Sequence, residues 1–143
     1  MFTLNPYLNF MGNTEEAFLF YKSIFGNEFT LLQKFRDTPG GTEMPEEVQG
    51  KLMHVALPLG SHNTLMGTDA LESMGQSLTI GNNISLSLNV DNKEEADTLF
   101  AKLSQEGLVE MPLQDMFWGG YFGMVTDKFG IQWMINYDSP VTE

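Results

Sequence analysis

The chain has no cysteine. That excludes disulfides, thiolate nucleophiles and zinc–sulfur centres. It is also poor in cations, with seven Lys and Arg against 19 Asp and Glu and a formal net charge of −12. A surface this acidic repels phosphate backbones and anionic headgroups, which argues against a nucleic-acid partner and against docking on a membrane. Its plain consequence is solubility. No apolar run approaches the ~20 residues that a membrane-spanning helix needs. The start, Met1-Phe2-Thr3-Leu4-Asn5-Pro6, has no basic stretch ahead of an apolar core, so no secretory signal is read there. Together with the absent cysteines, this points to a cytoplasmic location.

What is present is a repeat. Asn13-Thr14-Glu15-Glu16-Ala17 returns 79 residues later as Asn92-Lys93-Glu94-Glu95-Ala96. Each copy opens a helical pattern that runs to a glycine. The first helix is expected over about 13–25. Asn13 serves as N-cap and Glu16 as the third position of a capping box; Ala17, Phe20, Tyr21 and Ile24 form the buried face, and Gly26 supplies the left-handed stop. The second is expected over about 92–106, with Asn92 and Glu95 as the cap, Ala96, Leu99, Phe100 and Leu103 as the buried face, and Gly107 as the stop.

A strand pattern precedes each helix. Leu4, Pro6, Leu8 and Phe10 alternate with Asn5, Tyr7 and Asn9, and Ile84, Leu86, Leu88 and Val90 alternate with Ser85, Ser87 and Asn89. Three more extended segments follow each helix, at about 28–36, 51–59 and 62–68, then at about 108–117, 120–126 and 131–137. Gly60-Ser61-His62-Asn63 and Asp127-Lys128-Phe129-Gly130 mark hairpin turns. Residues 37–50 read as a long loop, and residues 70–83 join the halves. The order β-α-β-β-β, twice, defines an α+β chain, with modules 1–75 and 80–143 in one domain spanning 1–143. Each curled mixed sheet would bury its apolar row under its helix. The polar row, Asn5, Tyr7, Asn9, Ser85, Ser87 and Asn89, would line either a concave small-molecule pocket or plain wet surface.

The pattern resembles the vicinal oxygen chelate superfamily, which comprises glyoxalases, bleomycin-resistance proteins and dioxygenases. The nearer likeness is to its PhnB-like branch, long labelled demethylubiquinone methyltransferase-like. The resemblance spans nearly the whole chain. It rests on Pro6-Tyr7-Leu8-Asn9-Phe10, on Glu16-Ala17 with Phe20-Tyr21 and Phe25-Gly26, on Phe117-Trp118-Gly119, and on Asp127-Lys128-Phe129-Gly130-Ile131-Gln132-Trp133. It implies a homodimer, and a divalent metal held by side chains from the first and last strand of each module, with His and Glu the usual ligands. Carried over by position, those places fall at Asn5 (Pro6 if the register slips by one), Leu65, Ser85 and Met134. None is a good ligand, so no metal and no cofactor is expected.

Two readings stand for His54. It lies out of phase with Met53, Val55, Leu57 and Leu59, so it is either a polar anchor or base facing the pocket, or a hydrogen-bonded structural histidine. His62 reads as a solvent-exposed turn residue. Asp69 either enters the pocket rim, where a metal would pair it with His54 and need two further ligands, or caps the turn after it. Trp118 walls the pocket or fills a dimer contact, whereas Trp133 shares phase with Ile131, Ile135 and Tyr137 and reads as core. The ten methionines fill core gaps, with a few expected on the cavity wall.

The candidate ligand-binding set is therefore Asn5, Tyr7, His54, Asp69, Ser85, Ser87, Trp118 and Met134, with no catalytic residue assigned. The functional expectation is a metal-free protein that binds a small-molecule ligand, of the bleomycin-resistance type. The alternatives are a metal-dependent lyase, isomerase or dioxygenase of the same superfamily, a methyltransferase as the branch label suggests, and an interaction module without ligand. The methyltransferase would need a glycine-rich loop after a first parallel strand; Gly81-Asn82-Asn83 instead precedes one.

Overall fold

The computed structural model describes residues 1–140. The chain divides into two units, residues 1–79 and 80–143, and the two use one plan. In the first, β1 (Tyr7–Phe10) leads to α1 (Thr14–Phe25), then β2 (Leu31–Lys34), a four-residue helix α2 (Glu46–Gln49), β3 (Leu52–Leu59) and β4 (Asn63–Asp69). In the second, β5 (Leu86–Asn89) leads to α3 (Lys93–Leu103), β6 (Leu108–Asp115), β7 (Gly120–Thr126) and β8 (Gln132–Asp138). Each unit holds a four-stranded open sheet, in the order β1-β4-β3-β2 and β5-β8-β7-β6. The first and last strands of a unit run parallel and the other pairs antiparallel, so both sheets are mixed. The repeat seen in sequence is thus a repeat of topology. Among the described residues, no helix is long and apolar enough to cross a membrane.

The core of the first unit forms where one face of the sheet meets α1. Phe10, Val55, Leu57 and Leu65 are buried there, under Ala17, Phe18 and Tyr21. Phe18 takes the fully buried place expected of Phe20, and its ring meets Phe10 and Tyr21 edge-on. Each buried Val, Leu or Phe among them contributes about 1.5–3 kcal/mol by leaving water. The second unit buries Val125, Trp133 and Ile135 with Ala96 and Leu103; Trp133 is core, as its phase indicates.

The cross-strand pair Val55–Gly67 in the first unit occupies the register place of Gly123–Ile135 in the second. Each pair joins one branched residue to one glycine, on opposite members. A Cβ on Gly67 would lie 2.6 Å from the Phe18 ring, and one on Gly123 would lie 2.8 Å from the Phe100 ring. In both units the glycine leaves room for a helix aromatic.

Several expectations are corrected. The strands begin later than their alternation suggests: residues 1–6 and 84–85 lie outside them, and Leu4 and Ile84 are exposed rather than packed. The segment 37–50 is broken by helical turns at Gly41–Glu43 and Glu46–Gln49. Asn13 makes no side-chain cap, whereas Asn92 Oδ1 accepts from the Glu95 amide at 2.7 Å as expected. The second helix stops at Leu103. Its left-handed residue is Glu106, with φ 57°, and not Gly107. Gly107 is needed for another reason, since a Cβ there would lie 2.4 Å from the Thr126 carbonyl oxygen. Gly26 does supply the expected stop, with φ 80° and its amide bonded to the Lys22 carbonyl at 2.8 Å.

Candidate functional site

Alternation along a strand puts every second side chain on the face turned away from the helix. In the first unit the register lines up Tyr7, Met66, Ala56 and Leu31 across that open face. Gln33 and His54 pair one step further along it. In the second unit the corresponding row is Ser87, Met134, Met124 and Met111, followed by Asn89, Asn136, Phe122 and Gln114. No residue in these rows carries a formal charge. In the second unit carboxylates stand only toward the ends: Glu110 accepts from Thr126 Oγ1 at 3.1 Å and Asp138 from Asn136 Nδ2 at 3.0 Å.

One contact links two candidate residues on the first open face. The Tyr7 hydroxyl and His54 Nδ1 are 2.9 Å apart, with ring centroids 5.4 Å apart. The residues come from β1 and β3, which are separated by β4, so no local sequence signal could have revealed the pair. Plain alternation from the buried Val55 puts His54 on this face; a shift of register between Gln33 and Lys34, where Met53 becomes an extra residue opposite β2, then returns Leu52 to the core. The Met53 carbonyl accepts from Thr68 Oγ1 at 2.7 Å.

In the second unit Asn136 Nδ2 donates to Asn89 Oδ1 at 3.0 Å. The sequence reading placed Asn89 on the polar row but missed Asn136, because parallel pairing of β5 with β8 sets the match. Trp118 is half-exposed beside Phe122, with ring centroids 6.0 Å apart. A Cβ on Gly120 would meet the Trp118 ring nitrogen at 2.5 Å and Asn136 Oδ1 at 3.0 Å. The indole therefore lies over Gly120, at the end of the open face beside Asn136.

The remaining candidates sit elsewhere. Asn5 precedes β1, and its Oδ1 accepts from the Thr64 amide at 3.1 Å, so it secures the end of β4. Ser85 precedes β5 and is half-buried, while Ser87 is exposed within it. Asp69 does not line the open face: it is 4% exposed, in phase with the helix-facing Leu65 and Gly67. Its Oδ1 accepts from the Thr14 amide at 3.0 Å and the Thr14 hydroxyl at 2.6 Å, and its Oδ2 accepts from the Leu52 amide at 2.8 Å. Asp69 thus caps α1 across the unit, the task that Asn13 leaves undone, rather than the turn that follows it. In the second unit Asp127 is equally buried: it receives the Phe129 and Ile131 amides on Oδ1 and the Trp133 ring N–H on Oδ2.

The metal positions implied by resemblance also shift. Tyr7 pairs with Met66 as Ser87 pairs with Met134, so the module-one counterpart of Met134 is Met66. Leu65 is fully buried toward α1. Neither the phenol, the hydroxyl nor the two thioethers match the imidazole and carboxylate ligands of such a centre. Among the described residues, no three His, Asp or Glu side chains are grouped to hold a metal ion. The donor set does not fit the divalent metal.

Tyr121 lies on the helix side of the second unit, opposite its open face. The Tyr121 hydroxyl donates to Asp97 at 2.6 Å, and that bond to a carboxylate raises its pKa above 10.0, with desolvation and the charges of Asp97 and Asp115 adding to the effect.

Comparison with known proteins agrees with this architecture. A family model described as 3-demethylubiquinone-9 3-methyltransferase matches residues 3–136. Protein YjdN of Escherichia coli (strain K12) is 32% identical over 144 residues, with 93% of each chain covered. The crystal structure of protein PA1353 from Pseudomonas aeruginosa is 38% identical with a TM-score of 0.85, covering 98% of this chain and 100% of that one. A PhnB protein from Bacillus cereus, described as a putative 3-demethylubiquinone-9 3-methyltransferase, is 28% identical with a TM-score of 0.75, covering 94% and 98%. Fold likeness alone extends to a glyoxalase/bleomycin resistance protein/dioxygenase family enzyme from Burkholderia phytofirmans PsJN, at 18% identity and TM-score 0.61, covering 93% and 97%. The chain belongs to the family described as 3-demethylubiquinone-9 3-methyltransferase, to which the PhnB protein of Bacillus cereus is also assigned by its description, and it shares its fold with the glyoxalase/bleomycin resistance protein/dioxygenase family enzyme.

Proposed function

We propose that the protein binds a small organic molecule without a metal ion, on the open faces of its sheets. The observation that carries this reading is the register itself. The four positions that repeat between the units are Tyr7 and Met66, Ser87 and Met134. On the first open face a phenol and a thioether, and on the second a hydroxyl and a thioether, each make a wall suited to an organic ligand, with adaptable sulfur contacts and hydrogen-bonding tips. The contact residues are Tyr7 and His54 on the first face, and Ser87, Trp118 and Met134 on the second; Asn5 and Asp69 in the first unit and Ser85 in the second stand outside these faces. Two measurements test the reading. Metal analysis of protein purified without chelators is expected to find far less than one transition-metal ion per chain. A thermal-shift screen is expected to find compounds whose stabilisation grows with concentration over Kd. Stoichiometric zinc, nickel, iron or manganese held by side chains overturns the reading, and so does a flat screen across diverse compounds.

Transfer of a methyl group, the activity in the family's description, is not part of this proposal. The link from β1 to α1 holds one glycine, Gly12, and the link from β5 to α3 holds none. A nucleotide-type cofactor needs a glycine-rich turn at such a place. Titration with S-adenosylmethionine is accordingly expected to show no saturable micromolar binding. The proposal also takes the protein as a cytoplasmic homodimer without a nucleic-acid partner. The exposed side chains of Phe2, Leu4, Ile84 and Phe117 support a second copy as cover. Light scattering at micromolar concentration, expected to return twice the 16.1 kDa chain mass, tests it.

A further inference from the structure

We infer that Tyr7 holds His54 as a hydrogen-bond donor, and that the ligand offers this donor an uncharged oxygen acceptor, a carbonyl group. The inference rests on the binding role proposed above and concerns the first unit alone. The Tyr7 hydroxyl and His54 Nδ1 lie 2.9 Å apart. A neutral imidazole has one N–H and one bare nitrogen, and the partner of one nitrogen decides the state of the other. A phenol O–H is a stronger acid than a neutral imidazole N–H, so the phenol gives its proton to the bond. Nδ1 is then the acceptor and Nε2 carries hydrogen. Among the described residues Nε2 has no hydrogen-bond partner, and His54 is half-buried on the open face. This geometry makes His54 an electrophilic hook rather than a base toward the ligand. The same phenol keeps the ring from rotating, so Tyr7 is a positioning residue.

The class of acceptor follows from charge. The residues sharing this face with His54 are Tyr7, Leu31, Gln33, Ala56 and Met66, with Asn9 and Thr68 in the same phase, and all are uncharged. No Lys or Arg stands among them to neutralise a carboxylate or phosphate. A chain of net charge −12 adds long-range repulsion of anions. A neutral carbonyl oxygen accepts from Nε2–H without that penalty, and the Asn9 and Gln33 side-chain amides, neither bonded among the described residues, stand on the same face to orient it.

Long-range nitrogen–proton NMR on labelled protein, recorded above the ordinary imidazole pH range, tests the tautomer, with exposed His62 as internal control. The expected result is His54 in the Nε2–H form, with that preference lost in Tyr7→Phe. Hydrogen on Nδ1, or an unchanged pattern in Tyr7→Phe, overturns the positioning role. Matched probes test the ligand class: aryl ketones such as acetophenone, the corresponding benzoates, and alkylbenzenes. Ketones are expected to shift the His54 Nε2 resonance and to bind more tightly than the other two classes. His54→Ala should weaken ketone binding by about five- to tenfold, the scale of one hydrogen bond, and His54→Gln, which keeps an N–H, should restore part of it. Tighter binding of benzoates, or no His54 shift with any class, overturns the carbonyl assignment. Metal found in the protein would sink the metal-free reading while leaving the tautomer result to stand or fall by itself.

Discussion

At the scale of single residues, the two units solve one problem in different ways. Each helix start has amide donors that need acceptors. In the second unit the adjacent Asn92 supplies one; in the first it is Asp69, 55 residues away from Thr14. Asn92→Ala is therefore expected to cost about 1 kcal/mol in urea unfolding, the usual worth of a cap. Asn13→Ala should fall within about 0.5 kcal/mol of the parent. Asp69→Ala strands three donors in the core and should cost about 3 kcal/mol or more. Asn13 and Asn92 look alike in sequence. Only the position of a distant strand distinguishes them, and no local pattern carries that information. Tyr121 adds a pH dependence of definite sign. Its folded pKa lies above 10.0, so its contribution is complete below that pH and is lost as pH rises through the folded value. Melting curves taken from pH 9 upward should fall more steeply for the parent than for Tyr121→Phe, by a small margin because the pair is exposed.

At the scale of elements, strand register does most to place the open-face residues. Alternation in the sequence correctly put Tyr7, Asn9, Ser87 and Asn89 on the polar side. It also put His54 out of phase with Val55, but it could not count the register shift that returns Leu52 to the core, nor choose between Leu65 and Met66 as the partner of β1. A one-residue change inverts every side chain in a strand, and the match is made by a strand remote in sequence. Gly67 shows the complementary constraint. Gly67→Ala brings a methyl group within 2.6 Å of the Phe18 ring, so the ring must move. The expected cost is about 1–3 kcal/mol. Adding Phe18→Leu to it should recover part of that loss, measured as a double-mutant cycle in denaturant. The same steric test applies to Gly123 against Phe100.

At the scale of the whole molecule, the expected metal independence is a statement about stability as well as function. Metal ligands that bind only the folded state add to its stability. Prolonged treatment with a strong chelator is therefore expected to leave the melting temperature unchanged, and added nickel or zinc should not raise it. A chelator-induced fall of several degrees would contradict the proposed role. The sequence by itself determined the class: a β-α-β-β-β plan used twice, the strand faces, the helix near-bounds and the PhnB-like family are legible because periodicity and turn chemistry are local. The tertiary structure alone decided which residues meet. Tyr7 with His54, Asp69 with Thr14, and Met66 in place of Leu65 depend on pairing between strands far apart in the chain, where register, not composition, sets the contact.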